Sequence, residues 1–144
     1  MWVEVEGLER TIYVAVVYLV PRKSARYGGN AEVRRELEED IVEFRGRGMV
    51  VVVGDVNSSI GECVPLEGVV KSNVRKNKDK KTNENGRKWI LMMRRTGMVM
   101  PTGFYGRAEY TCYNAKGTNV VGHICVDRES SHVVKWLENR KEVM

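Results

Sequence analysis

The clearest pattern in the chain is an unbroken apolar run, Thr11 to Leu19 (TIYVAVVYL), rich in β-branched and aromatic residues and closed by Pro21. Such a run predicts a buried strand. A Lys/Arg/Gly loop follows, through Gly28 and Gly29. Asn30 is the expected N-cap of a helix whose stripe is Val33, Leu37, Ile41 and Phe44, with charged residues on the other faces. Gly46 and Gly48 end it. Met49 to Val53 (MVVVV) is a second short apolar run, the mark of a strand covered on both faces, and Gly54-Asp55-Val56-Asn57 follows directly. Asn85 is the expected cap of a second helix reaching about Thr96, with Gly97 at its end and Trp89, Ile90, Met92 and Met93 in its core. Tyr110 to Tyr113 and Asn119 to Val126 read as two strands around a turn at Lys116-Gly117. A last helix is expected from Ser131, containing Val134, Trp136 and Leu137. The order predicts a mixed α/β sheet with covered faces.

Composition narrows the class. The 144 residues fit one domain, and 42% apolar with 30% charged residues is ordinary globular usage. The three cysteines, Cys63, Cys112 and Cys125, form no C-x-x-C pair, so a reducing compartment is expected. The start, MWVEVEGLER, has no apolar leader region, and the run from Tyr13 to Val20 is too short for a bilayer. An intracellular protein, nuclear or cytoplasmic, is the expectation.

Charge changes the picture more. The chain carries 24 Lys and Arg against 19 Asp and Glu, a formal +5. Residues 71–95 hold ten of those cations and only Asp79 and Glu84, so the basic character belongs to one segment. Lys76, Lys78, Lys80, Lys81 and Arg87 are its candidate phosphate contacts, by counterion release. A solvated surface loop accounts for the same charges.

The chemistry concentrates at Gly54-Asp55-Val56-Asn57. A buried strand delivers a carboxylate and an amide to its C-terminal edge, where α/β sites lie. Asp55 can orient a water or bind a hard cation, and Asn57 can hydrogen-bond a phosphoryl oxygen without adding charge. An Asx turn closing a strand also accounts for them. Cys112, His123, Cys125 and His132 match no usual zinc spacing, and buried thiols with a strand histidine explain them better.

Read together and in order, IYVAVVYLVP, VVVVGDVNSSIG, KDKKTNENGRKW, MPTGF and EYTCYNAKGTNVVGHICVD resemble the endonuclease/exonuclease/phosphatase superfamily. They are most similar to the endonuclease-like domains of LINE-type retrotransposons and their craniofacial-development-protein relatives. The resemblance spans about residues 11–127. It implies a sandwich of mixed β-sheet layers covered by helices, of which this chain would form an incomplete single domain over 1–144. It implies that Tyr18 bonds the scissile phosphate, that Asp55 activates the attacking water and touches the metal, and that Asn57 holds the phosphorus centre. The implied cofactor is Mg²⁺ or Mn²⁺, and the implied partner DNA or RNA.

Three positions depart from the family pattern. No strand with the family's catalytic Asn or metal-binding Glu precedes Thr11, and Glu4 and Glu6 lie too close to replace it. The hairpin carboxylate is Gly122, and the neighbouring Tyr is His123. Ser130-Ser131-His132 falls too soon to be the family's closing Ser-Asp-His, so His132 reads as an ordinary residue. Hydrolysis is therefore expected to be weak or lost. The alternative is a binding module working through residues 71–95, and a further one is a translated remnant without function. Thr11–Leu19, stripped of partners, is expected at an exposed edge, open to self-association.

Overall fold

The fold is taken from a computed structural model, which describes residues 1–7, 9–61, 81–101, 112–114, 117–119 and 122–133. Strands β1 (Trp2–Glu6) and β2 (Thr11–Tyr18) are followed by a 3₁₀ turn at Tyr27–Gly29, helix α1 (Asn30–Arg45) and β3 (Met49–Asp55). Helix α2 (Glu84–Thr96), β4 (Met98–Val99), β5 (Cys112–Asn114), β6 (Gly117–Asn119), β7 (Gly122–Asp127) and a 3₁₀ segment at Arg128–Val133 complete them. Five strands form one sheet in the order β1-β2-β3-β7-β4, and β5 pairs with β6 apart from it. Among the described strands only β2 and β3 run parallel, with α1 as their crossover. The class is α/β, as the sequence predicts.

Period-two alternation decides which side of each strand is core. Tyr13, Ala15 and Val17 of β2, Val50 and Val52 of β3, and Cys125 of β7 are buried. Leu37 and Ile41 of α1 and Trp89, Ile90, Met92 and Met93 of α2 join Ala15, Val17, Val50, Val52 and Cys125 in one cluster, so both helices pack on one face of the sheet. Trp2 docks β1 there as well: its ring meets Phe44 edge-on at 4.7 Å, and its indole N–H donates to Asp40 at 2.7 Å.

Several expectations need correction. β2 is not an edge strand, because β1 pairs antiparallel along it from Trp2↔Ala15 to Glu6↔Thr11, and β1 takes the edge. Asn30 does not cap α1. The cap position is Gly29, without a side-chain bond, while Asn30 accepts from Val20 N at 3.0 Å and donates to Val20 O at 2.8 Å. The cap of α2 is Asn83, not Asn85: its side chain accepts from Gly86 N at 2.7 Å. The strand expected over Asn119–Val126 is two strands, β6 and β7, and β7 pairs with β3 and β4 rather than with β5. A 3₁₀ segment occupies Arg128–Val133 where the last helix was expected to begin, and Val134, Trp136 and Leu137 lie outside the described residues.

Candidate functional site

β2 and β3 run parallel, so their C-terminal ends meet at one edge of the sheet. Register pairs Tyr18 with Asp55, and the antiparallel β7 sets Gly122 against Asp55. Tyr18, Asp55 and Gly122 thus form one row across three strands, on the face turned away from the helices. Tyr18 is 61% exposed and Asp55 is exposed beside it. Gly54 makes the junction possible. Its φ is +150°, and a Cβ there would stand 1.9 Å from Val17 O.

The loop after Asp55 is held by amides. Asp55 Oδ1 accepts from Asn57 N at 3.0 Å, closing an Asx turn. Asn57 sits at φ 44°, a left-handed conformation that Asn tolerates well. Its Nδ2 donates to Leu19 O at 2.6 Å, tying the exit of β3 to the exit of β2. Asn83 Oδ1 accepts from Ser59 N at 3.2 Å, and its Nδ2 donates to Asn57 O at 3.1 Å. Buried Asn85 donates to Asn57 O at 3.4 Å and Val20 O at 3.5 Å. Gly86 lets this helix start come close, since a Cβ there would be 2.0 Å from Ser59 O. His123, buried and on the helix side of β7, places Nε2 against Ser58 O; a carbonyl can only accept, so Nε2 carries the proton.

Cations surround this amide frame. Arg22 and Lys88 share Glu84, at 3.4 and 2.8 Å. The hydrogen bond from Lys88 holds the Glu84 carboxyl below its usual range, and the same bond raises Lys88. Arg34 reaches Asn85 Oδ1 at 3.5 Å; burial draws its guanidinium below the ordinary value, but an arginine remains charged. Arg87 Nη1 lies 3.5 Å from Thr82 O. The starts of α1 and α2 meet this edge, adding the positive ends of two helix dipoles.

Of the sequence candidates, Tyr18, Asp55 and Asn57 come together, with Arg87 and Lys81 at the same end of the sheet. Lys76, Lys78 and Lys80 lie outside the described residues. The ends of that basic stretch are nonetheless placed: Ile60 bridges to Thr82, and Asn83 N donates to Ser59 O at 2.9 Å. These flanking residues sit at the Asp55 end of the sheet. The roles of Asn30, Asn83 and Asn85 in this frame were not read from sequence. The Asn83-Glu84-Asn85-Gly86 run directly after the basic stretch was the available signal.

A resident Mg²⁺ or Mn²⁺ needs several oxygen ligands, commonly more than one from the protein. Here Asp55 already accepts from Asn57 N, and the facing position on β7 is Gly122. Among the described residues, no three acidic, His or Cys side chains are grouped to hold a metal. The described residues do not fit a resident cation.

No family model matches the chain, and no curated protein matches it. Among solved structures it is similar to a 3'-5' exonuclease from Neisseria meningitidis, with a TM-score of 0.59 and 16% identity. The match covers 94% of this chain and 55% of the exonuclease, so the chain spans about half the length of that neighbour. The fold is nuclease-like. No described helix is long and apolar enough to cross a membrane.

Proposed function

We propose that the chain is an endonuclease/exonuclease/phosphatase-type domain, of the LINE retrotransposon kind, that binds nucleic acid at the Tyr18–Asp55 edge and hydrolyses it weakly or not at all. The observation that carries this reading is the row Tyr18–Asp55–Gly122: an exposed tyrosine and one carboxylate, with glycine where the family pattern has a second carboxylate. Binding is supported by the cations around the amide frame and by the position at this edge of Ile60 and Thr82, which flank the basic stretch. Tyr18 bonds a phosphate, Asp55 orients a water, and Asn57 positions both strand exits through Leu19 O. An intact site of this type would add Mg²⁺ or Mn²⁺ to stabilise the developing charge. Loss of that charge stabilisation costs several kcal/mol, and loss of an orienting Asp costs about 10⁴ in rate.

Plasmid nicking with Mg²⁺ or Mn²⁺ tests the chemistry. Nicking by the wild-type chain is expected at the level of Asp55→Ala. Robust cleavage that Asp55→Ala abolishes would overturn the weak-or-lost reading. A module that only binds would keep its affinity in Asp55→Ala and lose it when Lys78, Lys80 and Lys81 are neutralised.

A further inference from the structure

At the amide end one carboxylate stands between two cations that come from different elements. Glu84 opens α2, and its Oε1 accepts from Lys88 Nζ at 2.8 Å, one turn further along the helix. Its Oε2 faces Arg22 Nε at 3.4 Å, and Arg22 belongs to the loop that follows β2. The Lys88 contact alone is an ordinary i,i+4 pair and needs no other explanation. The Arg22 contact is not part of any helix. With it, the two carboxylate oxygens each meet a separate cation, as the two free oxygens of a phosphodiester could. Tyr27 holds Lys88 from the other side, its ring centroid 5.7 Å from Nζ. Arg22 is held loosely by comparison, with 76% of its side chain exposed. Arg34 and Arg87 stand near and meet neutral oxygens, on Asn85 and Thr82. Lys88 first, with Arg22 and Arg87 adding, holds the Glu84 carboxyl below its usual range, so it is charged near neutrality.

We propose that Arg22 and Lys88 form a second phosphate subsite, and that Glu84 occupies it until a phosphodiester takes its place. This rests on the reading of the amide end as a nucleic-acid surface, and adds to it a particular contact and a built-in competitor. Arg22 lies four residues beyond Tyr18, at most about 14 Å along an extended chain. The two positions therefore serve one strand, at phosphates a few nucleotides apart. No covalent bond is made or broken. A phosphodiester brings one negative charge, the same as the carboxylate it displaces, so the two cations are neutralised equally before and after the exchange. Glu84 thus lowers the affinity of this end. It also flattens the salt dependence, because the displaced carboxylate recovers a counterion as the phosphate gives one up.

Oligonucleotide binding by variants of the full chain, followed by anisotropy in EDTA over a range of salt, tests this. Glu84→Gln keeps the shape of the side chain and removes its charge. It is expected to tighten binding about fivefold, the worth of one exposed ion pair, and to steepen the salt slope by about one. Glu32→Gln removes a carboxylate at the start of α1 that pairs with Arg35, and is expected to change affinity by less than about twofold. With Arg22→Gln and Lys88→Gln already in place, the gain from Glu84→Gln is expected to vanish. A damaged fold weakens binding, so the expected gain does not arise from damage. Wild-type binding that Glu84→Gln leaves unchanged or weakens would overturn the subsite and leave the nucleic-acid surface standing. So would a gain that Glu32→Gln matches, or one that survives without Arg22 and Lys88. No binding by wild type and Glu84→Gln alike would overturn both.

Discussion

At the end of the sheet where β2 and β3 exit, four asparagines tie the loops together; at the opposite end the ties are carboxylates and arginines. Asn30, Asn57, Asn83 and Asn85 bind the backbone of Leu19, Val20, Asn57, Ser59 and Gly86. At the far end, buried Asp127 accepts from Val50 N at 2.7 Å and Ser130 N at 3.0 Å. Arg45 forks onto both oxygens of Glu129 and also reaches Thr96 O, and Arg95 forks onto Glu38. The two ends do the same structural job with different consequences for charge. Arg45, Arg47 and Arg95 at the far end already face carboxylates, so an anion approaching them must displace one. At the amide end Arg34 and Arg87 meet neutral oxygens, and Arg22 and Lys88 share a single Glu84. Arg22, Arg34, Arg87 and Lys88 stand there against Glu84 and Asp55, so a phosphate finds a field that remains positive. Holding a loop with amides keeps its geometry fixed without lowering that field.

The contrast can be broken most sharply at the far end. Asp127→Ala leaves Val50 N and Ser130 N buried without an acceptor, an expected loss of about 3 kcal/mol. For a chain of this length that lowers Tm by roughly 10 °C. A thermal melt showing less than a third of this would mean that the far end does not depend on its carboxylate.

The amide end responds in a way that separates geometry from charge. Asn83→Ala removes the cap of α2 and the acceptor for Ser59 N, with an expected loss of about 2 kcal/mol. Asn83→Asp keeps both acceptor bonds, places a carboxylate at a helix N-terminus, and is expected to recover about half of that. Its nucleic-acid affinity is nonetheless expected to fall below wild type, because the new charge sits in the phosphate field. If Asn83→Asp binds as tightly as wild type, neutrality of the frame is not what matters.

Sequence pattern made the main elements legible and the ties between them illegible. The runs at Thr11–Leu19 and Met49–Val53 and the stripe through Leu37 and Ile41 appear as β2, β3 and α1, because burial alone sets those periods. β1 was missed although Trp2–Glu6 alternates, since five residues with two glutamates carry no sign of the strand they pair with. Asn30 and Asn85 were assigned as caps on local spacing. Tertiary contact diverts both to Val20, a residue of another loop, and the caps fall at Gly29 and Asn83. Asp55 and Asn57 were legible as chemistry because a strand terminus exposes them. That Gly122 faces Asp55 could be known only from the register of β7.

A smaller effect follows from titration, since asparagines do not titrate and the far-end glutamates do so in acid. The Arg95 hydrogen bond holds Glu38 below the usual carboxyl range. Glu129 is lowered by its own backbone amide first and by Arg45 next. With folded-state values depressed, their stabilisation is present above the unfolded value of about 4.3 and is lost as pH falls through the lower folded values. Each exposed pair contributes at most about 1 kcal/mol. Below pH 4, amide exchange is expected to lose protection in β4 and Arg128–Val133 before Ser59 and Gly86. The reverse order would contradict the assignment of ionic ties to the far end.

The most direct test of the account is fluorescence anisotropy of a labelled oligonucleotide in EDTA, titrated with salt. We expect binding without divalent cation, falling linearly in log affinity against log salt. Replacing Arg22 and Arg87 with Gln is expected to lower that slope by about two, one per phosphate contact, while Arg47→Gln, at the far end beside Glu43, leaves it unchanged. Binding that requires Mg²⁺, or that Arg47→Gln weakens as much as the Arg22 and Arg87 pair does, would contradict the claim that the amide end is the nucleic-acid surface.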